Sequence, residues 1–415
     1  MSQVRRSFLL LQGVSSPFFA RLADHLKAQG HHVYKINFNA GDWCFWTPRS
    51  SHSHRGTLAS LPQLIEHIWN KHEITDQILF GDRRPVHRYA VDKAEHCGIR
   101  THVFEEGYFR PYWVTLEREG VNGHSLLPRD PVWFRLAADV VPSERPYQRF
   151  RSPFRKRAVN DVLYHLPGLI NPLLYPGYRT HALESAPQEY AGFLARFARE
   201  GYWKKRDKKR IDRLLTSSDP FFLLPLQLNS DAQIRDHSRF TSMQEVIELV
   251  MSSFAKHAPS ETRLLIKNHP LDYAFNHYPD LISKLSRFYG IEGRVVYVET
   301  GDLNQILPRA AGCVTVNSTA GMVALEHSCP VKALSDPIYN MPGLAFQGTL
   351  DEFWVDADFI DTELFADFCS VTFYATQVNG GFYCSEGINI AVNNVDKILT
   401  SAISPLEELL QLTGV

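Results

Sequence analysis

The feature that most constrains this chain is an alternation. Short apolar runs of strand length, each closed by polar residues or glycine, are separated by segments whose apolar residues recur three and four apart. In the first half the runs fall at residues 7–11, 33–37, 77–80 and 101–104. In the second half they fall at 221–226, 263–266, 295–298, 313–316 and 331–334. Helical spacing fills the gaps at 18–28, 58–71, 242–256, 303–308 and 322–327. A parallel sheet covered by helices produces this order, because its strands are buried on both faces and each needs a crossover to reach the next. A chain of 415 residues is too long for one such core, so two Rossmann-like domains are expected. There is no internal repeat at a period of 20–50 residues.

Composition narrows the function classes. Apolar residues make up 44% and charged residues 21%, a globular balance. Lys and Arg number 44 against 45 Asp and Glu, which argues against nucleic acid as the main partner. No stretch approaches the roughly 18 apolar residues that span a bilayer. The N-terminal run at Phe8–Leu11 stops at Gln12 and Gly13, too short for a signal peptide, and reads as a buried first strand. Cys44, Cys97, Cys313, Cys329, Cys369 and Cys384 form no CxxC pair, so free thiols in a cytoplasmic protein are expected, with no metal site.

Four segments follow from these patterns. Residues 1–130 read as an N-terminal Rossmann-like domain and 214–390 as a C-terminal one, with a final helix at 391–415. Between them, 131–213 is basic and rich in proline, which disfavours long helices in its middle. Two clusters mark it: Arg145, Arg149, Arg151, Arg155, Lys156 and Arg157, then Lys204, Lys205, Arg206, Lys208, Lys209, Arg210 and Arg213. They are either the solvated face of a helical linker or a surface that rests on anionic lipid.

Ligands of open parallel sheets bind beyond the carboxyl ends of the strands, so the residues after each run are the candidates. In the first half these are Gln12 and Gly13, Asn39 to Asp42, Gly81 to Arg84 with Asp82, and Glu105 and Glu106 before Gly107. In the second they are Gln227 to Asp231, Asn268 to Pro270 after Lys267, Gly301 and Asp302, Asn317, Ser318, Thr319, Ala320 and Gly321, and Ser335 and Asp336. Asn317–Gly321 leads from a strand into a helix, where hydroxyls and free N–H groups suit a phosphate or a plain N-cap. Lys267 and His269 put a cation and an imidazole at a strand end, either to hold a phosphate or as a surface turn. Glu105 and Glu106, adjacent after a strand, read as an acid/base pair or a solvated turn. Asp231 is a helix cap or a nucleophile toward a sugar carbon. His31, His32, His52 and His54 read as surface features.

The combination of strings is specific. FEEGYFRPYWVTLE at 104–117 and GVNGHS at 120–125 resemble the capsule polysaccharide synthesis family, of the KpsS/LipB type. LQG at 11–13, NFNAGD at 37–42, FGDRRP at 80–85, QLNSD at 227–231, KNHP at 267–270, VNSTAG at 316–321 and YNMPGL at 339–344 follow in family order. The resemblance implies a GT-B-like glycosyltransferase with its two domains facing across a cleft. It implies a retaining β-Kdo transferase that moves the first Kdo from CMP-β-Kdo to lysophosphatidylglycerol and starts the poly-Kdo linker of a capsule. It makes Asp231 the nucleophile and assigns acid/base or acceptor contacts to Glu105 and Glu106. Lys267, His269, Asn317, Ser318, Thr319 and Gly321 would hold CMP, and Gly13, Asp42, Asp82, Arg84 and Gln227 would contact substrate. No cofactor or metal is expected. Related modules carry Glu two residues after the last glycine, where this chain has Val323. The implied location is the cytoplasmic face of the inner membrane, with anionic lipids and capsule synthesis and export proteins as partners. A sialyltransferase using another CMP-sugar and a non-catalytic export scaffold are the alternatives.

Overall fold

The computed structural model describes residues 5–142, 146–179, 186–229, 232–272, 277–357 and 359–414. The chain divides into two compact α/β units: residues 1–127, 137–181 and 370–415 form the first, and 128–136 with 182–369 the second.

The first unit contains β1 (Ser7–Leu10), β2 (His32–Asn37), β3 (His52–Ser53), β4 (Asp76–Phe80), β5 (Arg100–Glu106) and β6 (Trp113–Arg118). The second contains β7 (Phe221–Pro225), β8 (Arg263–Lys267), β9 (Val295–Val298), β10 (Gly312–Thr315) and β11 (Val331–Ala333). The chain then returns to the first unit with β12 (Gln377–Asn379). All nine apolar runs read from the sequence are strands.

The first sheet runs β12-β6-β5-β4-β1-β2-β3. Its strands from β5 to β3 are parallel, while β6 and β12 are antiparallel additions. Successive residues of a strand leave on opposite faces, and the core shows it. Phe8, Leu10 and Phe104 pack with Phe18 and Phe382, whereas Leu9, Leu11 and Val103 pack with Leu61, Ile65 and Ile68. The second sheet, β11-β10-β7-β8-β9, is parallel throughout. Phe222, Leu224, Leu264 and Ile266 pack there against Val246, Val250 and Phe254 of the Met243–His257 helix. In both sheets the order reverses beside the first strand, at β1/β4 and at β7/β10, which makes each unit Rossmann-like with a defined switch point.

Several expectations are corrected. The division of the chain differs from the one read in the sequence. Segment 131–213 is shared between the units, and everything from 370 onward joins the first, ending in two helices, Ser385–Thr400 and Pro405–Thr413. A 15-residue helix, Phe154–Gly168, follows Pro153 and takes in Pro167 near its C-terminal end, and a 31-residue helix, Ala186–Thr216, begins at the last proline of the segment, Pro187. His31 and His54 are buried rather than on the surface, and His31 Nδ1 accepts the Arg6 N–H at 3.1 Å. All six thiols are free.

Candidate functional site

In the first unit the candidate residues meet at the β1/β4 switch point. Gly81 leaves β4 at φ +73°, a left-handed conformation that favours glycine. That turn sends Arg84 back toward β1, where its Nη1 donates to the Gly13 carbonyl at 2.9 Å and to Gln12 Oε1 at 3.3 Å. Fully buried His87 braces the same point: its Nε2 accepts the Gln12 N–H at 3.1 Å, while its Nδ1 lies 2.7 Å from the Gly81 carbonyl. A neutral imidazole with its proton on Nδ1 satisfies both contacts.

Asp42 joins this cluster from the first turn of the helix that follows β2. Asn39 caps the Ala40–Trp46 helix by accepting the Asp42 N–H at 2.8 Å, and Asp42 Oδ2 accepts the Phe38 N–H at 3.0 Å. Asp42 also accepts the Tyr164 hydroxyl at 2.9 Å and the Gln12 amide at 3.3 Å. Burial first, then the Asp42 charge, hold the Tyr164 phenol well above its usual value, so it stays a donor. The contact is close because residue 41 is glycine: a Cβ there would stand 2.4 Å from the Tyr164 carbonyl. Buried Lys35 lies nearby, donating to the Leu11 and Ile36 carbonyls at 2.9 and 2.6 Å, and burial lowers its pKa to about 8.

Glu105 and Glu106 are the last two residues of β5 rather than the turn after it. As successive strand residues they leave on opposite faces, so their side chains have different surroundings. Glu106 accepts the Tyr383 hydroxyl at 2.8 Å and lies 3.5 Å from Arg157. Glu105 Oε1 accepts the Glu106 N–H at 3.0 Å. Its Oε2 would lie 3.4 Å from a Cβ at position 81, and Arg84 Nε 3.8 Å, so carboxylate and guanidinium flank the glycine. Asp82 is fully buried, with Oδ2 3.0 Å from His124 Nδ1.

The second unit repeats the arrangement at β7/β10. Gln227, just past β7, donates to Asn317 Oδ1 at 3.0 Å and accepts the Asn317 N–H at 3.4 Å. Ser318 Oγ accepts the Ala320 N–H at 3.1 Å, and Thr319 is exposed with no cap bond. Gly321 has a packing role: a Cβ there would stand 2.1 Å from the hydroxyl of Tyr339, which donates to the Ser318 carbonyl at 2.7 Å. Lys267 ends β8, the next strand beyond β7, and is only 5% exposed. Its Nζ donates to the Asn268 carbonyl at 3.2 Å, and burial, with Arg196 nearby, lowers its pKa to about 8. His269 is half-buried and its Nδ1 accepts the Leu271 N–H at 3.1 Å. Ser230 and Asp231 lie outside the described residues.

Sequence reasoning missed what holds the β8 loop. Asn268 Nδ2 donates at 2.9 Å to both Asp272 and Glu299, and buried Arg196 donates to the Asp272 carbonyl at 2.7 Å. Fully buried Asp207 accepts the N–H groups of Glu299 and Thr300 at 2.8 and 3.0 Å. Both residues come from the Ala186–Thr216 helix, where the run of charges hides them. A signal did exist: Arg196, Trp203, Asp207, Ile211 and Leu214 are all buried and follow helical spacing.

Residues 75–383 match the family described as "Capsule polysaccharide biosynthesis protein". The chain is 35% identical over 380 residues to the capsule polysaccharide export protein KpsS of Escherichia coli, covering 91% of this chain and 97% of that protein. It is 36% identical over 388 residues to the capsule polysaccharide modification protein LipB of Neisseria meningitidis serogroup B, covering 91% of each. Among solved structures, the KpsC β-Kdo 2,7 transferase of Thermosulfurimonas dismutans aligns with 88% of this chain and 100% of that chain, at 13% identity and a TM-score of 0.41.

Proposed function

The chain belongs to the capsule polysaccharide biosynthesis protein family, and from that premise we propose that it is a retaining glycosyltransferase, moving Kdo from CMP-β-Kdo to lysophosphatidylglycerol. The observation that carries this reading is the use of both switch points. Polar residues bridge the β1/β4 exit through Arg84 and the β7/β10 exit through Gln227 and Asn317, where Rossmann-like sheets bind nucleotides and their substrates. In the second unit, β10, β7 and β8 are neighbours, so Asn317–Thr319, Gln227 and Lys267–His269 occupy one row of strand ends. Adjacent strands are about 4.8 Å apart, so that row is about 10 Å long, the scale of a nucleotide phosphate and its ribose.

Retention at the anomeric carbon calls for two displacements. Asp231 attacks that carbon, the bond to the CMP phosphate oxygen breaks, and CMP leaves with the electron pair. Lys267, His269 and the Ser318–Thr319 turn neutralise the departing phosphate. An acceptor hydroxyl then attacks the same carbon, Asp231 is released, and a carboxylate takes the hydroxyl proton. Glu105 or Glu106, at the end of β5, would supply that carboxylate.

A membrane-borne acceptor suits the Phe154–Gly168 helix, whose amphipathicity is inverted. Arg157, Asn160 and Tyr164 meet Glu106, the Tyr383 carbonyl and Asp42 of the first unit. Val159, Val162, Leu163 and Leu166 on the other side are exposed, and beyond the helix Leu169 and Leu173 are 67% and 83% exposed. Exposed Arg155 and Lys156 flank this apolar stripe, a pattern that fits an anionic bilayer surface. No helix among the described residues is long and apolar enough to cross a membrane.

Intact-protein mass spectrometry after incubation with CMP-Kdo tests the reading. The wild type gains the mass of one sugar, while Asp231→Ala gains none yet still binds CMP. Wild-type turnover by Asp231→Ala would remove the nucleophile, and an adduct from CMP-sialate but not CMP-Kdo would change the donor.

A further inference from the structure

A basic cavity of about 700 Å³ opens in the second unit, among the Ala186–Thr216 helix, the Tyr278–Tyr289 helix and edge strand β9. Arg206, Arg210, Arg213, Arg263 and Arg287 line it, against a single lining carboxylate, Glu292. Three of the arginines come from one stripe of the long helix, spaced four and three residues apart. One turn back, the ring of Tyr202 lies under Arg206, 5.9 Å from its guanidinium.

Two of the five charges are met within the fold. Arg206 pairs with Asp207 at 2.7 Å, and Arg263 with Asp219 at 2.6 Å. Arg210 donates to the Tyr297 carbonyl on β9 at 2.7 Å, a neutral acceptor that brings no countercharge. Arg213 and Arg287 are exposed, and among the described residues neither has a carboxylate at ion-pair distance. Like charges gathered in one concavity raise the local potential and favour an anion. Guanidinium forks match phosphate oxygens two at a time. The hydroxyls of Ser283 and Ser286 add donors, while Leu214, Val295 and Val296 give an apolar wall for a carbon skeleton.

The cavity is remote from the proposed nucleotide row. Arg263 opens β8 and Lys267 closes it. Four residue steps along a strand separate the two ends by about 13 Å. We propose that this cavity binds a phosphate group carried on a small carbon skeleton, from a soluble phosphorylated compound or from a phospholipid headgroup, at a site separate from the one that would hold the donor. The proposal does not depend on the transferase reading.

Binding of the full-length protein to two probes tests it: glycerol 3-phosphate by calorimetry, and phosphatidylglycerol/phosphatidylcholine vesicles by co-sedimentation against phosphatidylcholine alone. Arg213→Glu with Arg287→Glu touches no ion pair described above and should weaken at least one probe tenfold or more, the affected arm identifying the source. Lys267→Ala should bind that probe within twofold of wild type. If the double variant loses its circular dichroism or melts early, Arg287→Gln alone is used and should weaken binding at least threefold. Unchanged binding by the arginine variants, no binding of either probe by wild type, or a loss confined to Lys267→Ala would each overturn the proposal.

Discussion

His87 Nε2 accepts the backbone N–H of Gln12 across a separation of 75 residues, and this bond joins the exits of β1 and β4. Its other nitrogen, at the Gly81 carbonyl, fixes the turn from which Arg84 reaches Gly13. The switch point of the first unit is thus set by one buried imidazole rather than by the strands alone.

Replacing that imidazole should be costly. His87→Ala strands the buried Gln12 N–H and frees a half-buried carbonyl, a loss of about 1–3 kcal/mol, chiefly for the unsatisfied N–H. His87→Gln, which offers an acceptor and a donor, should recover part of it. Thermal melts of the three proteins decide the matter. Equal melting temperatures for wild type and His87→Ala would mean that the brace carries no stability.

Lys267 makes a prediction about pH. Burial lowers its pKa from 10.5 to about 8. Below pH 8 the folded protein holds a desolvated charge, and between pH 8 and 10.5 it releases a proton that the unfolded chain retains. This residue's contribution to stability therefore rises with pH across that window and is lost as pH falls through 8. Lys267→Met should be more stable than wild type at pH 7, by about 1–3 kcal/mol, with the difference shrinking by pH 10. Its CMP affinity should fall if the ammonium holds the phosphate, and wild-type affinity should itself decline above pH 8. A pH-independent stability difference would show that the charge is not the cause.

The inverted helix predicts a division between folding and membrane binding. Leu166 and Leu173 are 60% and 83% exposed, so aspartate at both should leave the melting temperature unchanged within a degree or two. If the two leucines enter an anionic bilayer, losing about 1.5–3 kcal/mol of burial for each should lower vesicle affinity tenfold or more. Co-sedimentation with phosphatidylglycerol vesicles reads the outcome. Unaltered binding would assign the stripe to some other contact.

Much of the fold was legible because its signals are local. A buried strand must be apolar over four to six residues, and the loop beyond it must be polar or glycine, so nine strands and their exits could be placed from single windows of sequence. At two of those exits the structure brings candidates into contact, Gln12 with Arg84 and Gln227 with Asn317. Asp42 and Gly321 have packing roles that the strand-end argument did not supply: one accepts the Phe38 N–H and holds Tyr164, and the other makes room for Tyr339. Glu105 and Glu106 were read as following the strand, whereas they are its last two residues.

By itself, then, the sequence determined two α/β units, their strands and the loops where chemistry belongs, since each follows from the burial pattern of a short window. Tertiary structure alone decided the rest. The neighbours of β1 and β7, the return of β12 to the first sheet, the His87 brace and the Asp207 anchor all join groups tens to hundreds of residues apart. No local periodicity encodes such partners. They are selected because a buried polar group must find a hydrogen bond wherever the completed fold supplies one.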